Sequence, residues 1–189
     1  MTIGVLALQG DFEAHAALLA ELGAEAREVR TPGDLADLDG LILPGGETTT
    51  MMLGLEREHL AEPLRELIVA GTPTLATCAG LIVLDRDHLG VLDLTAKRNA
   101  FGRQVRSFET DLDLDGLDGG PLRAVFIRAP WVEECGENVE VLAEMDDHPV
   151  AVRRENVLAV AFHPELTGDA RLHEWLVERV RSQAAREAA

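Results

Sequence analysis

The chain has 189 residues, 47% of them hydrophobic, which suits one compact domain with a sizeable core. Its net charge of -17 at pH 7 would repel phosphate backbones and anionic membranes, so neither nucleic-acid binding nor membrane association is expected. No apolar run approaches the ~20 residues that a bilayer requires, and the N-terminal segment lacks the basic region and apolar core of a secretion signal. Two cysteines make no disulfide framework. We therefore expect a cytoplasmic protein.

The first part of the chain predicts alternating strands and helices. Residues 2–8 form a continuous apolar run of strand length, and Asp11 is a candidate N-cap for a helix that ends at Gly23. The remaining elements expected here are strands at 25–29 and 40–44, a short helical connection at 31–39, and helices at 48–55 and 58–70. This order with short connections predicts a parallel sheet flanked by helices.

A candidate binding loop follows the third predicted strand. It contains Gly45, Gly46, Glu47 and the threonines at 48–50. Two glycines at the carboxyl end of a parallel strand let the backbone approach a ligand, and we expect the threonine hydroxyls to cap the next helix. The alternative interpretation of two such glycines is an ordinary turn.

The stretch around which the chain is organised is residues 73–82 (PTLATCAGLI). It predicts a buried strand that breaks abruptly into a helix, with Cys78 at the break. A sharp strand-to-helix turn needs small neighbours, as in a nucleophile elbow, and Ala76 occupies the first small position. The helix beginning at Ala79 directs its free N–H groups and positive dipole end at the sulfur, which favours thiolate. A lone cysteine in an apolar stretch is more often a small buried hydrophobe, so the turn alone does not establish a nucleophile.

A second candidate group lies far downstream. The apolar run 157–161 predicts a strand, and His163 and Glu165 come directly after it. An imidazole there could act as base toward Cys78, with the carboxylate holding the ring. Because ligands of open α/β sheets bind beyond the carboxyl ends of the strands, Cys78 and the Gly45–Gly46 loop can share one crevice.

After residue 85 the pattern changes to short strands joined by turns. A loop is expected at 87–90, and the rough alternation at 105–114 is typical of a half-exposed antiparallel strand. The elements that follow are strands at 122–127, 139–144, 149–153 and 157–162, a helix from 169 to about 184, and a frayed tail at 185–189. The expected fold is α/β, a three-layer sandwich whose mainly parallel central sheet lies between helices beside a small antiparallel annex, in a single domain spanning residues 1–189.

Six segments together resemble, in order, a known family. They are residues 4–10 (GVLALQG), 43–47 (LPGGE), 77–82 (TCAGLI), 98–104 (RNAFGRQ), 126–130 (FIRAP) and 162–167 (FHPELT). They resemble the glutaminase subunits of pyridoxal 5'-phosphate synthases, which belong to the triad glutamine amidotransferases. The resemblance implies the flavodoxin-like fold of class I amidotransferases. Two departures are Ala76, where the family usually has glycine, and a short segment between residues 84 and 98.

Chemistry and resemblance together predict hydrolysis of L-glutamine to glutamate and ammonia by Cys78, His163 and Glu165. The expected oxyanion donors are the backbone N–H groups of Ala79 and Gly46. The resemblance implies that the bound glutamine is surrounded by Gly46, Glu47, Thr48, Arg98, Ile127 and Arg128. An arginine suits a carboxylate and a glutamate suits an ammonium, although a single arginine is more often a solvated surface residue.

The resemblance also implies a partner, because the chain shows no machinery for using ammonia. That partner is a synthase subunit, which condenses a pentose phosphate and a triose phosphate with the ammonia in a hetero-oligomer. Gln9 resembles the family residue near the subunit contact. No metal and no cofactor are expected. The histidines assigned to surface or packing roles are His15, His59, His88, His148 and His173, which lack metal-ligand spacing.

Two other functions stay open at this point. One is another thiol hydrolase on a related scaffold, such as a peptidase or a stress-response hydrolase, which would not prefer a glutamine-mimicking electrophile. The other is a non-catalytic binding domain, in which Cys78 would be no more reactive than Cys135.

Overall fold

The structure is a computed structural model that describes residues 1–102 and 107–187. The strands are β1 (Thr2–Leu6), β2 (Glu25–Val29), β3 (Gly40–Leu43), β4 (Thr74–Thr77), β5 (Leu94–Lys97), β6 (Ser107–Leu112), β7 (Leu122–Ile127), β8 (Trp131–Cys135), β9 (Glu140–Met145), β10 (His148–Arg154) and β11 (Val157–Val160). The helices are α1 (Phe12–Glu21), α2 (Thr48–Arg57), α3 (Ala61–Val69), α4 (Ala79–Val83) and α5 (Arg171–Glu187), with 3-10 turns at Pro32–Leu35 and Pro164–Leu166.

The central sheet has seven strands in the order β2-β1-β3-β4-β11-β10-β9. The first five are mutually parallel, and β10 and β9 extend the sheet in antiparallel fashion. The strands expected at 139–144, 149–153 and 157–162 were grouped with the annex, but β9, β10 and β11 belong to the central sheet, where β11 pairs in parallel with β4. It is wholly buried, as a strand covered on both faces must be.

Helices cover both faces of this sheet and form the outer layers of a three-layer sandwich. Leu19 of α1 and Leu172 of α5 pack into one apolar cluster, whereas Met51 of α2 and Leu64 of α3 pack into the other. Two small antiparallel pairs, β5 with β8 and β6 with β7, form the annex. The predicted α/β class with a mainly parallel sheet is confirmed.

Several predicted boundaries need correction. The helix expected at 58–70 begins at Ala61, because His59 adopts a left-handed backbone with φ of 55° that separates it from α2. Strands β5 and β8 were not predicted, since both carry polar residues without clear alternation. The start of the strand expected at 105–114, the end of the 98–104 segment and the tail at 188–189 lie outside the described residues.

Over residues 1–102 and 107–187, no helix combines the length and the apolar character that crossing a bilayer requires.

Candidate active site

Cys78 stands at a strained turn between β4 and α4. Its φ of 47° and ψ of -103° are costly for a residue with a Cβ, and strain of this kind collects at functional sites. The Cys78 N–H donates to the carbonyl of Val160 on β11, at 2.8 Å. Any side chain at Gly80 would collide with the carbonyl of Leu43, so a glycine is required for α4 to lie this close to β3. The Ala76 methyl is wholly buried in β4 upstream of the turn, where alanine is accommodated.

His163 is held from two directions. The chain reaches it three residues beyond the end of β11, whose Val160 is in register with Thr77, the residue before the cysteine. The His163 backbone N–H donates to the carbonyl of Val125 on β7, at 2.9 Å. The preceding ring, Phe162, packs against Phe126 of the same strand with centroids 5.6 Å apart. The annex therefore fixes the backbone from which the imidazole extends.

The structure brings the three candidate catalytic residues into contact. Nδ1 of His163 lies 2.7 Å from Oε1 of Glu165, and the Cys78 side chain is close enough to the ring to raise the pKa of His163. Burial by itself lowers the pKa of His163, but the hydrogen bonds and negative charges of Cys78 and Glu165 outweigh it and raise this pKa to about 10. An imidazolium between sulfur and carboxylate is the favoured form at neutral pH.

Gly45 allows this approach, a role that the sequence did not indicate. A Cβ at residue 45 would collide with Cε1 of His163 and would lie 2.9 Å from Nδ1 of that ring and 3.2 Å from Cβ of Cys78. Both distances are tighter than ordinary contact, so the position opposite the triad has room for a hydrogen atom only. The paired glycines were the available signal, but sequence could not show what the first of them faces.

An open pocket of about 120 Å³ lies over the cysteine. It is lined by Gly46, Glu47, Thr48, Cys78, Ala79, Ile82, Arg98, Asn99, Ile127, Arg128 and Pro130. All six candidate substrate-binding residues and both candidate oxyanion donors are in this lining. Asn99 and Arg128 have φ values of 49° and 45°, so strained backbone surrounds the pocket as well as the nucleophile.

Glu47 caps the helix that begins at the pocket. Its carboxylate accepts hydrogen bonds from the backbone N–H groups of Thr49 and Thr50, at 3.1 and 2.8 Å, and from the Thr50 hydroxyl at 2.8 Å. These bonds lower the pKa of Glu47 to about 2. The prediction that threonine hydroxyls cap α2 is therefore wrong: a carboxylate does so, because it is favoured at the positive end of the helix dipole.

Arg98 is oriented by a chain of polar groups. Its Nη1 donates to the Thr49 hydroxyl at 3.2 Å, and its Nη2 lies 3.2 Å from Nε2 of His88. Nδ1 of His88 lies 2.6 Å from a carboxylate oxygen of the buried Asp85. Because a carboxylate oxygen only accepts, the ring proton is on Nδ1, and Nε2 is left to accept a hydrogen bond from the Arg98 guanidinium. His88, assigned to a surface or packing role, instead links a buried carboxylate to a pocket residue.

Gln9 connects the end of β1 to the candidate binding loop. Its side-chain oxygen accepts a hydrogen bond of 2.5 Å from the backbone N–H of Glu47. A side chain at Gly46, which has φ of 154°, would collide with the same oxygen. The place of Gln9 at a partner contact stays a prediction.

Two further histidines lie behind the triad, in buried packing positions whose closeness to Glu165 was not predicted. His15 of α1 and His173 of α5 are both fully buried, with Nδ1 of His15 2.9 Å from Nε2 of His173. Nε2 of His15 is 3.5 Å from Oε2 of Glu165. A signal existed, since His15 shares the helical spacing of Phe12 and Leu19 and so belongs to the inner face of α1.

One group of donor atoms among the described residues is close enough to hold a metal ion. It consists of Asp11, His163 and Glu165, whose nearest ligand atoms lie within 4.8 Å of one another. The side chain of Asp11 makes no capping hydrogen bond to α1, although the residue is at the predicted N-cap position. Since His163 and Glu165 already pair with each other beside the cysteine, we interpret this group as part of the triad.

Comparison with known proteins gives consistent results. A sequence model described as the SNO glutamine amidotransferase family matches residues 5–182. The chain is 54% identical to the pyridoxal 5'-phosphate synthase subunit PdxT of Frankia alni, over 97% of this chain and 96% of that protein. It is 56% identical to the protein of the same name from a Parafrankia species, over 96% and 94%. A crystal structure of a glutamine amidotransferase superposes with a TM-score of 0.88 at 47% identity, covering 94% of this chain and 98% of the other.

Proposed function

The chain belongs to the SNO glutamine amidotransferase family, and from that membership we propose that it is the glutaminase subunit of a pyridoxal 5'-phosphate synthase. It hydrolyses L-glutamine to L-glutamate and ammonia and passes the ammonia to a synthase subunit. The single observation that carries the proposal is the contact of a strained Cys78 with an imidazole that is itself bonded to Glu165, under a pocket lined by arginines.

The proposed first half-reaction forms a thioester. The Cys78 thiolate attacks the side-chain amide carbon of glutamine, and the C=O electrons move to oxygen. The backbone N–H groups of Ala79 and Gly46 stabilise that oxyanion, the first because it opens α4 and the second because it faces the same pocket. The His163 imidazolium then protonates the departing nitrogen, and ammonia leaves as the carbonyl re-forms.

The second half-reaction regenerates the thiolate. Neutral His163 takes a proton from water, the resulting hydroxide adds to the thioester carbon, and the sulfur leaves with the electron pair of the C–S bond. Glu165 keeps the ring oriented and stabilises the imidazolium in both halves, as the acid of a triad does. The raised pKa of His163 supports this assignment, since the ring must be protonated when ammonia leaves.

Substrate recognition is proposed to use opposite charges at the two ends of the amino acid. Within the described part of the chain no carboxylate pairs with Arg128, so its guanidinium is available for the glutamine carboxylate together with Arg98. Glu47 attracts the ammonium while it caps α2. Thr48 and Ile127 complete the walls around the aliphatic stem.

The partner and cellular setting belong to the same proposal. The synthase subunit forms a hetero-oligomer with this chain, with Gln9 near the contact. We further propose that residues 1–189 are a single amidotransferase domain, since the family match runs from residue 5 to 182. A cytoplasmic location is consistent with Cys78 and Cys135 both being free thiols.

The proposal is tested by measuring glutamate release from L-glutamine, with and without the synthase subunit. Wild type should be weakly active alone and more active with its partner, and Cys78→Ala should be inactive in both conditions. Cys135→Ala, which removes the thiol outside the pocket, is the matched control and should behave as wild type. Turnover that survives Cys78→Ala would exclude the thiol mechanism. An unchanged ratio with and without synthase would exclude coupling.

A thiol hydrolase of another class is distinguished by trapping. A glutamine-mimicking electrophile should label Cys78 and leave Cys135 unlabelled, and free glutamine should protect the site. Labelling that glutamine does not slow would favour a hydrolase with a different substrate.

A further inference from the structure

The proposed mechanism uses one oxygen of Glu165 and leaves the other unexplained. Oε1 pairs with His163, whereas Oε2 is buried and has no hydrogen-bond partner within standard limits among the described residues. The group that faces Oε2 is Nε2 of His15, at 3.5 Å, and both side chains are inaccessible to solvent. A carboxylate in this position either has a donor directed at it or carries an uncompensated buried charge.

The tautomer of His15 follows from what surrounds it. The other neighbour of its Nε2 is the hydroxyl of Thr77, at 3.4 Å, which can donate or accept. A carboxylate only accepts, so an Nε2 lone pair facing Oε2 would repel it, whereas an Nε2–H attracts it. His15 is neutral, because burial first, and then the charges of His173 and His163, lower its pKa well below the ordinary value. A neutral ring with its proton on Nε2 has a bare Nδ1.

His173 supplies the donor that this bare Nδ1 needs. Its Nε2 lies 2.9 Å from Nδ1 of His15, so the Nε2 of His173 must carry the proton of that bond. Burial lowers the pKa of His173 to about 4, so this ring is neutral too and its Nδ1 has no proton. That Nδ1 is buried without a hydrogen-bond partner, which an acceptor tolerates better than an orphaned N–H would.

The donors therefore point in one direction. His173 donates to His15, His15 is directed at Oε2 of Glu165, and Oε1 of Glu165 accepts from His163. We propose that His15 is a positioning residue for the triad: its Nε2–H, held in that tautomer by His173, fixes the second carboxylate oxygen of Glu165 so that the first stays aligned with His163. This inference rests on the proposed function, since it gives Glu165 the role assigned there.

The test replaces His15 by leucine, which keeps the bulk and removes the donor, and by glutamine, whose amide N–H can take the place of Nε2–H. With the synthase subunit present, His15→Leu should lower kcat about 10- to 100-fold with little change in KM, because Glu165 and the ring lose their alignment. His15→Gln should recover most of that loss. His173→Leu should give a smaller loss. His59→Asn is the control, since His59 is exposed and asparagine tolerates its left-handed backbone.

A second measurement does not depend on turnover. The titratable groups beside His15 are Glu165, His173 and His163. Those beside the His163 ring are Cys78, Glu165 and the exposed Asp11, and of all these groups only His163 should respond strongly to the loss of His15. An NMR titration of the His163 ring should show a lower pKa in His15→Leu than in wild type, since a misaligned Glu165 raises it less. The alkaline limb of the kcat profile should move to lower pH with it, and rates are compared at equal folded fraction.

The outcomes separate the two proposals. If wild type releases no glutamate but the His163 titration still moves, the proposed function fails and the positioning role stands. If wild type is active and His15→Leu retains its kcat and its His163 titration, the positioning role is wrong. Equal losses in the leucine and glutamine variants, with the His163 titration unmoved, would show a purely structural role and also overturn it.

Discussion

Alanine at residue 45 should damage catalysis while leaving the pocket intact. The backbone of Gly45 is not in the left-handed region, so alanine introduces no backbone strain there. Its Cβ would collide with Cε1 of His163 and lie 2.9 Å from Nδ1, where ordinary contact begins near 3.4 Å. The imidazole must therefore move by about 1 Å to clear Cε1, which takes it out of its alignment with Glu165.

The magnitude follows from this displacement. A misplacement of about 1 Å costs on the order of 100-fold in rate, so we expect Gly45→Ala to lower kcat about 10- to 100-fold, or about 1.4–2.7 kcal/mol in activation free energy. KM should change little, because Gly45 is not part of the pocket lining. Overpacking should also lower the free energy of unfolding by about 1–3 kcal/mol.

Steady-state glutaminase kinetics with the synthase subunit, together with urea unfolding, measure both effects. The matched control is Gly33→Ala, where the only heavy atom near the new Cβ is Oγ1 of Thr31 at 3.8 Å. Gly33→Ala should have wild-type kinetics. A folded Gly45→Ala with wild-type kcat would refute the reasoning, and so would equal losses in the two variants.

Two further substitutions test the groups around the pocket. His88→Leu removes the acceptor that orients Arg98 and so one hydrogen bond, worth about 0.5–1.5 kcal/mol. We therefore expect KM for glutamine to rise about two- to tenfold while kcat stays unchanged. An unchanged KM in steady-state kinetics would contradict this role of His88. Glu47→Gln removes a charge whose pKa is lowered from the ordinary 4.5 to about 2, so the carboxylate stabilises the folded state fully above pH 4.5 and progressively less as pH falls through 2. The difference in urea midpoint between wild type and Glu47→Gln should shrink over that range, and a difference independent of pH would contradict this origin.

The middle of the sheet could be predicted because β1, β3, β4 and β11 are buried on both faces. Strand β3 differs from its prediction by one residue, and the partly exposed edge strand β2 has the predicted bounds. The region after residue 85 was harder, because β5 and β8 are half-exposed pairs whose polar residues follow no clean alternation. Their pairing is decided by contacts between residues about 40 apart in the chain, which local patterns do not record.

The candidate catalytic residues were found from order and spacing, but the groups that hold them were not. Cys78, His163 and Glu165 each follow a buried strand, and parallel strands bring their carboxyl ends to one edge of the sheet. His15 and His88 were given surface or packing roles, because a single histidine in a helix or loop has no pattern that indicates its partner. The partners of His15 lie on distant parts of the chain, with His173 158 residues away. Those of His88 are only 3 and 10 residues away, but the irregular loop that brings them together has no periodic pattern.

Local periodicity, turn chemistry and motif order were enough to predict the α/β class, the elbow at Cys78 and the family. Three other features became visible in the folded protein alone: Gly45 faces His163, Glu47 caps α2, and two buried histidines stand behind Glu165. Each of these depends on distances of 2.8 to 3.5 Å between groups on different elements or on directions of side chains. Such distances are set by how helices pack on the sheet, which the order of residues along the chain does not express.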